Sequence, residues 1–141
     1  MKRIALSALA SMFCVGMLVL TPEAAMAQQK APPGGTYQQV SSLVPLPDFL
    51  PGLGTLYVDP ATLPAGPFLA YDRQGALVSS IYMIPLKDMN AHKAFSDLKI
   101  AKERADHVDI VFNAGHPGVA EPHYHVIVWY VSAARAARLA K

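Results

Sequence analysis

Cysteine is all but missing from this sequence. The one residue, Cys14, sits inside an apolar run near the start, so the chain beyond it has neither disulfides nor thiolate metal sites. Charge is sparse as well. Charged residues make up 16% of the chain and the formal net charge is +2, which excludes the basic footprint of a nucleic-acid-binding surface. Internal repeats are absent, and no apolar run after residue 20 is long enough to span a membrane.

What is present at the N-terminus reads as an export signal. Lys2 and Arg3 precede an apolar run from Ile4 to Leu20, and Ala25-Met26-Ala27 offers the small residues that a signal peptidase reads. Residues 1–27 are expected to be a cleaved signal peptide. The protein is then exported, periplasmic or extracellular, and begins at Gln28.

Proline and glycine organise the next part. Residues 28–44 open with a polar, Pro- and Gly-rich stretch and are expected to form a flexible arm. Six prolines between Pro45 and Pro67 forbid a long helix and predict an irregular wrap with short extended pieces such as Thr55 to Asp59. Phe68 to Asp72 and Leu77 to Ile84 read as strands joined at Arg73-Gln74-Gly75 by a tight turn. A helix is expected over Lys87 to Lys102, with Phe95 and Leu98 on the sheet. His107 to Asn113 and His123 to Val131 alternate as strands. The expected fold is α+β: a small antiparallel sheet with one main helix and the Pro-rich N-terminal wrap, forming a single domain over 45–132. A basic C-terminal tail, 133–141, suits a short helix.

Chemistry concentrates near the end. Four of the five histidines fall between His107 and His125, together with Asp109 and Glu121. If Asn113 faces His123 in a hairpin, Val111 faces His125 and Asp109 faces Ile127, and directly opposed residues share a face. Val108, Ile110 and Phe112 then pack with Tyr124, Val126 and Val128 on the expected core side, leaving His107, Asp109, His123 and His125 on the other. The long connection carries His116 and Glu121, and its Gly and Pro residues bend His116 over the strand ends.

His116, His123 and His125, with Glu121 as a carboxylate, are the candidate metal ligands. Nitrogen and oxygen donors without sulfur suit zinc, copper, iron or nickel. Glu121 and Asp109 are the candidate catalytic residues, as general base beside a His-bound metal. His92 stands alone on the expected helix and reads as a surface residue.

Several motifs recur together. Leu50-Pro51-Gly52-Leu53-Gly54, Tyr57-Val58-Asp59-Pro60, Gly115-His116-Pro117 and Pro122-His123-Tyr124-His125 resemble a bacterial family of secreted proteins of unknown function, known by a sigma-factor-regulated protein of a thermophile. The resemblance runs from Pro45 to Val131. It implies secretion, an α+β fold and a shared site in which His116 and His123 match the loop and strand histidines. His125 stands where many relatives carry Asp, and Ile127 where they carry a further His. The family supplies no reaction.

Three functions follow from these residues: a binding protein with a His-rich site for a divalent metal or small polar ligand, a metal-dependent enzyme of the envelope, or a structural or assembly protein with interface histidines. A homo-oligomer is compatible with each. A deep pocket with converging imidazoles distinguishes the first two from the third, which an exposed apolar patch favours.

Overall fold

The computed structural model describes residues 28–141. The expected signal peptide, with Cys14, lies outside them. Six strands form one antiparallel sheet: β1 (Gln38–Gln39), β2 (Thr55–Val58), β3 (Phe68–Tyr71), β4 (Leu77–Pro85), β5 (His107–Asn113) and β6 (His123–Trp129). Their spatial order is β1-β2-β3-β4-β6-β5, so β5 is an edge strand although it follows β4 in the chain. Among the described residues helix is confined to short pieces, α1 (Leu86–Asn90) and α2 (Ala133–Ala136), with three 3-10 turns. Among the described residues no helix is long and apolar enough to cross a membrane.

The β3–β4 turn follows from its residues. Asp72 Oδ1 accepts from the N–H groups of Gln74 and Ala76 at 3.0 and 2.9 Å, and Gly75 takes the positive φ, 71°, that the turn requires. The Arg135 guanidinium donates to Asp72 Oδ2 at 2.7 Å and ties this turn to α2. Burial alone would raise the Asp72 carboxyl, but Arg135 and the two backbone donors outweigh it and hold it below the usual range.

The main core lies on the sheet face that carries Val58, Phe68, Ala70, Ile81, Met83, Ile127 and Trp129. The chain between β1 and β2 covers it with Val40, Val44, Leu46, Phe49 and Leu53, and Leu139 closes it from the C-terminus. The tail 133–141 thus contributes Leu139 to the core, with Ala136 packed beside it, while most of its other residues stay exposed. The expected loose arm is also held: Ala31 N–H donates to Gly75 O at 2.8 Å, Leu77 N–H to Gln29 O at 2.9 Å, and β1 pairs with β2.

The expected helix over Lys87 to Lys102 ends at Asn90. His92 follows with φ 56° and Asp97 repeats that value. The rest runs as irregular chain, and phenols of the sheet's second face bind its backbone: Tyr82 Oη donates to Lys99 O at 2.6 Å, and Ala101 N–H donates to Tyr130 Oη at 3.0 Å. A helix would keep those backbone groups for itself. Phe95 is half-buried, but Leu98 is exposed rather than packed on the sheet.

The β5–β6 hairpin has the expected register, with Asn113 opposite His123, Val111 opposite His125 and Asp109 opposite Ile127. Its faces are inverted. His123, His125, Ile127 and Trp129 point into the core, whereas Val108, Ile110 and Phe112 are 54, 66 and 52% exposed. Both faces of the pair carry apolar residues, so alternation alone does not choose between them. The wrap chooses, by stacking its aliphatic side chains on the histidine side.

A candidate metal centre

Two short pieces of backbone bring three imidazoles together. His123 and His125 are two apart on β6 and so share a face. They are buried at 0 and 8% exposure. His116 comes from the connection between β5 and β6. There Val119 N–H donates to His116 O at 2.9 Å and His116 N–H to Val119 O at 2.9 Å, around a turn with Pro117 second and Gly118 third, at φ 89°. That is a type II arrangement, suited to Pro followed by Gly. Gly115, at φ 129°, lets the loop close, because a Cβ there would sit 2.5 Å from Ala120 O.

The ring centroids of His116 and His123 are 4.9 Å apart, those of His123 and His125 4.9 Å, and those of His116 and His125 5.6 Å. One ring nitrogen from each lies within 4.8 Å of the others, so the three residues could hold a metal ion. Backbone carbonyls orient two of the rings. His123 Nδ1 donates to Glu121 O at 2.7 Å and His116 Nδ1 to Pro117 O at 2.9 Å. A carbonyl only accepts, so both rings carry a proton on Nδ1; in the neutral form each then presents an Nε2 lone pair, the arrangement that outer hydrogen bonds impose on ligating histidines.

His123 Nε2 and His125 Nε2 are 3.0 Å apart. With a lone pair on the first, this contact is either an N–H donated by His125 or two lone pairs facing a shared cation. Tetrahedral ligands at the usual zinc–nitrogen length are separated by about 3.3 Å, so small ring movements reach that spacing. Burial first, then the neighbouring His123 and His116, pushes His125 down to about 4. The ring therefore stays neutral, as a ligand must.

The other sequence candidates are placed elsewhere. The Glu121 carboxylate turns outward to Lys87 Nζ at 2.7 Å and contributes only its main-chain carbonyl to the site. Asp109 Oδ2 accepts from Trp129 Nε1 at 2.8 Å. His107 stacks on Trp129 and pairs with Asp106. His92 is exposed beyond α1. No carboxylate joins the three-histidine cluster among the described residues.

Sequence reasoning did not find the space next to the cluster. A cavity of about 330 Å³ lies between the wrap and the sheet, with Leu43, Val44, Leu53, Leu56, Phe68 and Met83 among its walls and His116 and His125 at one end. The aliphatic residues among the prolines are its signal in the sequence.

No protein-family model matches the chain, and no curated protein matches it. Among solved structures, the chain is similar to a hypothetical protein, TTHB210, from Thermus thermophilus: 48% identity, a TM-score of 0.61, and coverage of 67% of this chain and 87% of that one. At that identity and coverage, the chain belongs to the same family as the Thermus thermophilus protein.

Proposed function

We propose that this is an exported protein that binds a divalent transition metal through His116, His123 and His125. The convergence of three imidazoles in a mostly buried site carries this reading. Two of them are fixed by carbonyls in the ligating tautomer. Three neutral nitrogens suit zinc, copper, nickel or iron, in that all accept imidazole. The export motif at 1–27 and the motif resemblance to the secreted, sigma-factor-regulated family support the location. The carboxylates that a hydrolytic reaction would need as base, Glu121 and Asp109, are engaged with Lys87 and Trp129, which favours binding over catalysis. Elemental analysis of protein purified from its native compartment without a histidine tag tests the reading. About one metal per chain is the expected result, and metal-free protein that takes up none on titration would overturn it.

A second reading rests on the bare edge of the sheet. Val108, Ile110, Val111 and Phe112 are all about half exposed or more, on a strand with one side unpaired among the described residues. Such an edge invites pairing with another chain. Association through β5 into a homo-oligomer leaves the buried histidines free for metal.

A further inference from the structure

The cavity beside the histidines is divided in character. Among the described residues its walls hold no Asp, Glu, Lys or Arg. Their polar side chains are Asn113, His116 and His125, and all three come from the β5–β6 end. The remainder is apolar: most of it comes from the wrap, from the β2–β3 connection and from β2, β3 and β4, and Pro117, Gly118 and Val119 of the β5–β6 connection complete it beside His116. Ligand sites typically combine such an apolar body with a few convergent polar groups.

We propose that this cavity binds a medium-chain aliphatic carboxylate, with the alkyl chain against Val44, Leu53, Leu56, Phe68 and Met83 and the carboxylate at His116 and His125. The identity of the head group rests on the metal reading above. A divalent ion held by three neutral imidazoles keeps its full charge of +2, because no carboxylate joins the cluster among the described residues. An anionic oxygen donor is the complement that this charge lacks. The tail follows from the walls and the volume. A methylene-sized group occupies about 30 Å³, close to the share of a water molecule in the liquid, so about 330 Å³ accepts roughly eight to ten such groups with the head.

Length and charge both enter the test. Calorimetry on purified protein without a histidine tag would first measure zinc alone, then hexanoate, octanoate, decanoate and hexadecanoate on the zinc-loaded and chelated forms, with decanol as the uncharged control. Affinity should rise by up to about fourfold per added methylene from hexanoate to decanoate and stop rising or fall at hexadecanoate. Zinc should strengthen decanoate binding by about tenfold or more and leave decanol unchanged.

Zinc binding with no decanoate binding to either form overturns this proposal and leaves the metal reading intact. Decanoate binding without any zinc binding overturns the metal reading, and with it the placement of the carboxylate. Equal affinity for hexanoate and decanoate overturns the assignment of the chain to the cavity. Val44→Trp, which fills the half-buried wall, should abolish decanoate binding while zinc binding persists. The length series on the parent protein decides the matter even if that variant does not fold.

Discussion

His123 and His125 bring their Nε2 atoms to within 3.0 Å of each other, although one residue separates them on the same strand. Their Cβ atoms alone would not enforce this, since residues two apart on a strand share only a direction. His123 is turned by the bond from its Nδ1 to Glu121 O, and His116 closes the third side from the turn at Pro117 and Gly118. Loss of any one ring should therefore cost most of the affinity. Even outer-shell partners are worth 10–100-fold, so His116→Ala is expected to weaken zinc binding by more than about 100-fold. Because His116 is partly exposed, its melting temperature without metal should stay near the parent's. His123→Ala should lose zinc too, and also lose about 1–3 kcal/mol of stability, because it empties a fully buried position. Titration calorimetry and thermal melts of the two variants check both halves.

Acid should destabilise the metal-free protein before its carboxylates titrate. The unfolded His125 takes a proton near its ordinary value of 6.5, whereas the folded ring resists until about 4. As pH falls from 6.5 towards 4, the unfolded state binds a proton that the folded state does not, so stability falls with pH. The slope is at most about 1.4 kcal/mol per pH unit, and it disappears below the folded value. Denaturation of chelated protein across that window should show the slope. His125→Gln should flatten it, and an unchanged profile in that variant would assign the effect elsewhere.

The register of the β5–β6 hairpin was legible in the sequence because HVDIVFN and HYHVIVW alternate cleanly and the pairing of Asn113 with His123 keeps like residues together. Which face turns inward was not. Val108, Ile110 and Phe112 make the more apolar stripe, yet β5 is an edge strand and among the described residues no layer covers that stripe. The side chains that settle the choice, Val40, Val44, Leu46 and Leu53, lie far away in the chain and carry no periodicity among the prolines. The expected helix failed for a similarly remote reason, the hydroxyls of Tyr82 and Tyr130 on another part of the sheet. His116, His123 and His125 were readable as a group because they are close in sequence. Glu121 was not separable from them until its carboxylate was seen on Lys87.

Ile110→Asp is a test of the edge rather than of the core. At 66% exposure the new carboxylate stays in water, so the monomer should melt within about 1 kcal/mol of the parent. Association through β5 should be weakened, because the charge enters an apolar pairing edge. Light scattering coupled to size exclusion reads the second effect. A severe loss of stability in the dilute monomer would mean that another layer covers this face.

Asp72 and Arg135 offer a test of how the C-terminus is held. Asp72 is 8% exposed and serves two backbone N–H groups as well as the guanidinium, so Asp72→Ala leaves three donors without their acceptor. The expected cost is about 2 kcal/mol, typical for a broken charge-assisted network in a turn. Arg135→Ala should cost less, since the arginine side chain is 37% exposed and surface pairing is weakened by solvent. It leaves the Asp72 turn bonds in place. The carboxyl is held below its usual range, so its contribution is present above the unfolded value near 3.8 and is lost as pH falls through the lower folded value. The difference in stability between parent and Asp72→Asn should therefore shrink in strong acid and remain constant from neutral pH down to about 5. Chemical denaturation of parent, Asp72→Asn and Arg135→Ala at neutral pH and in acid measures this. A cost for Arg135→Ala equal to that of Asp72→Ala would place the whole effect in the ion pair and none in the turn.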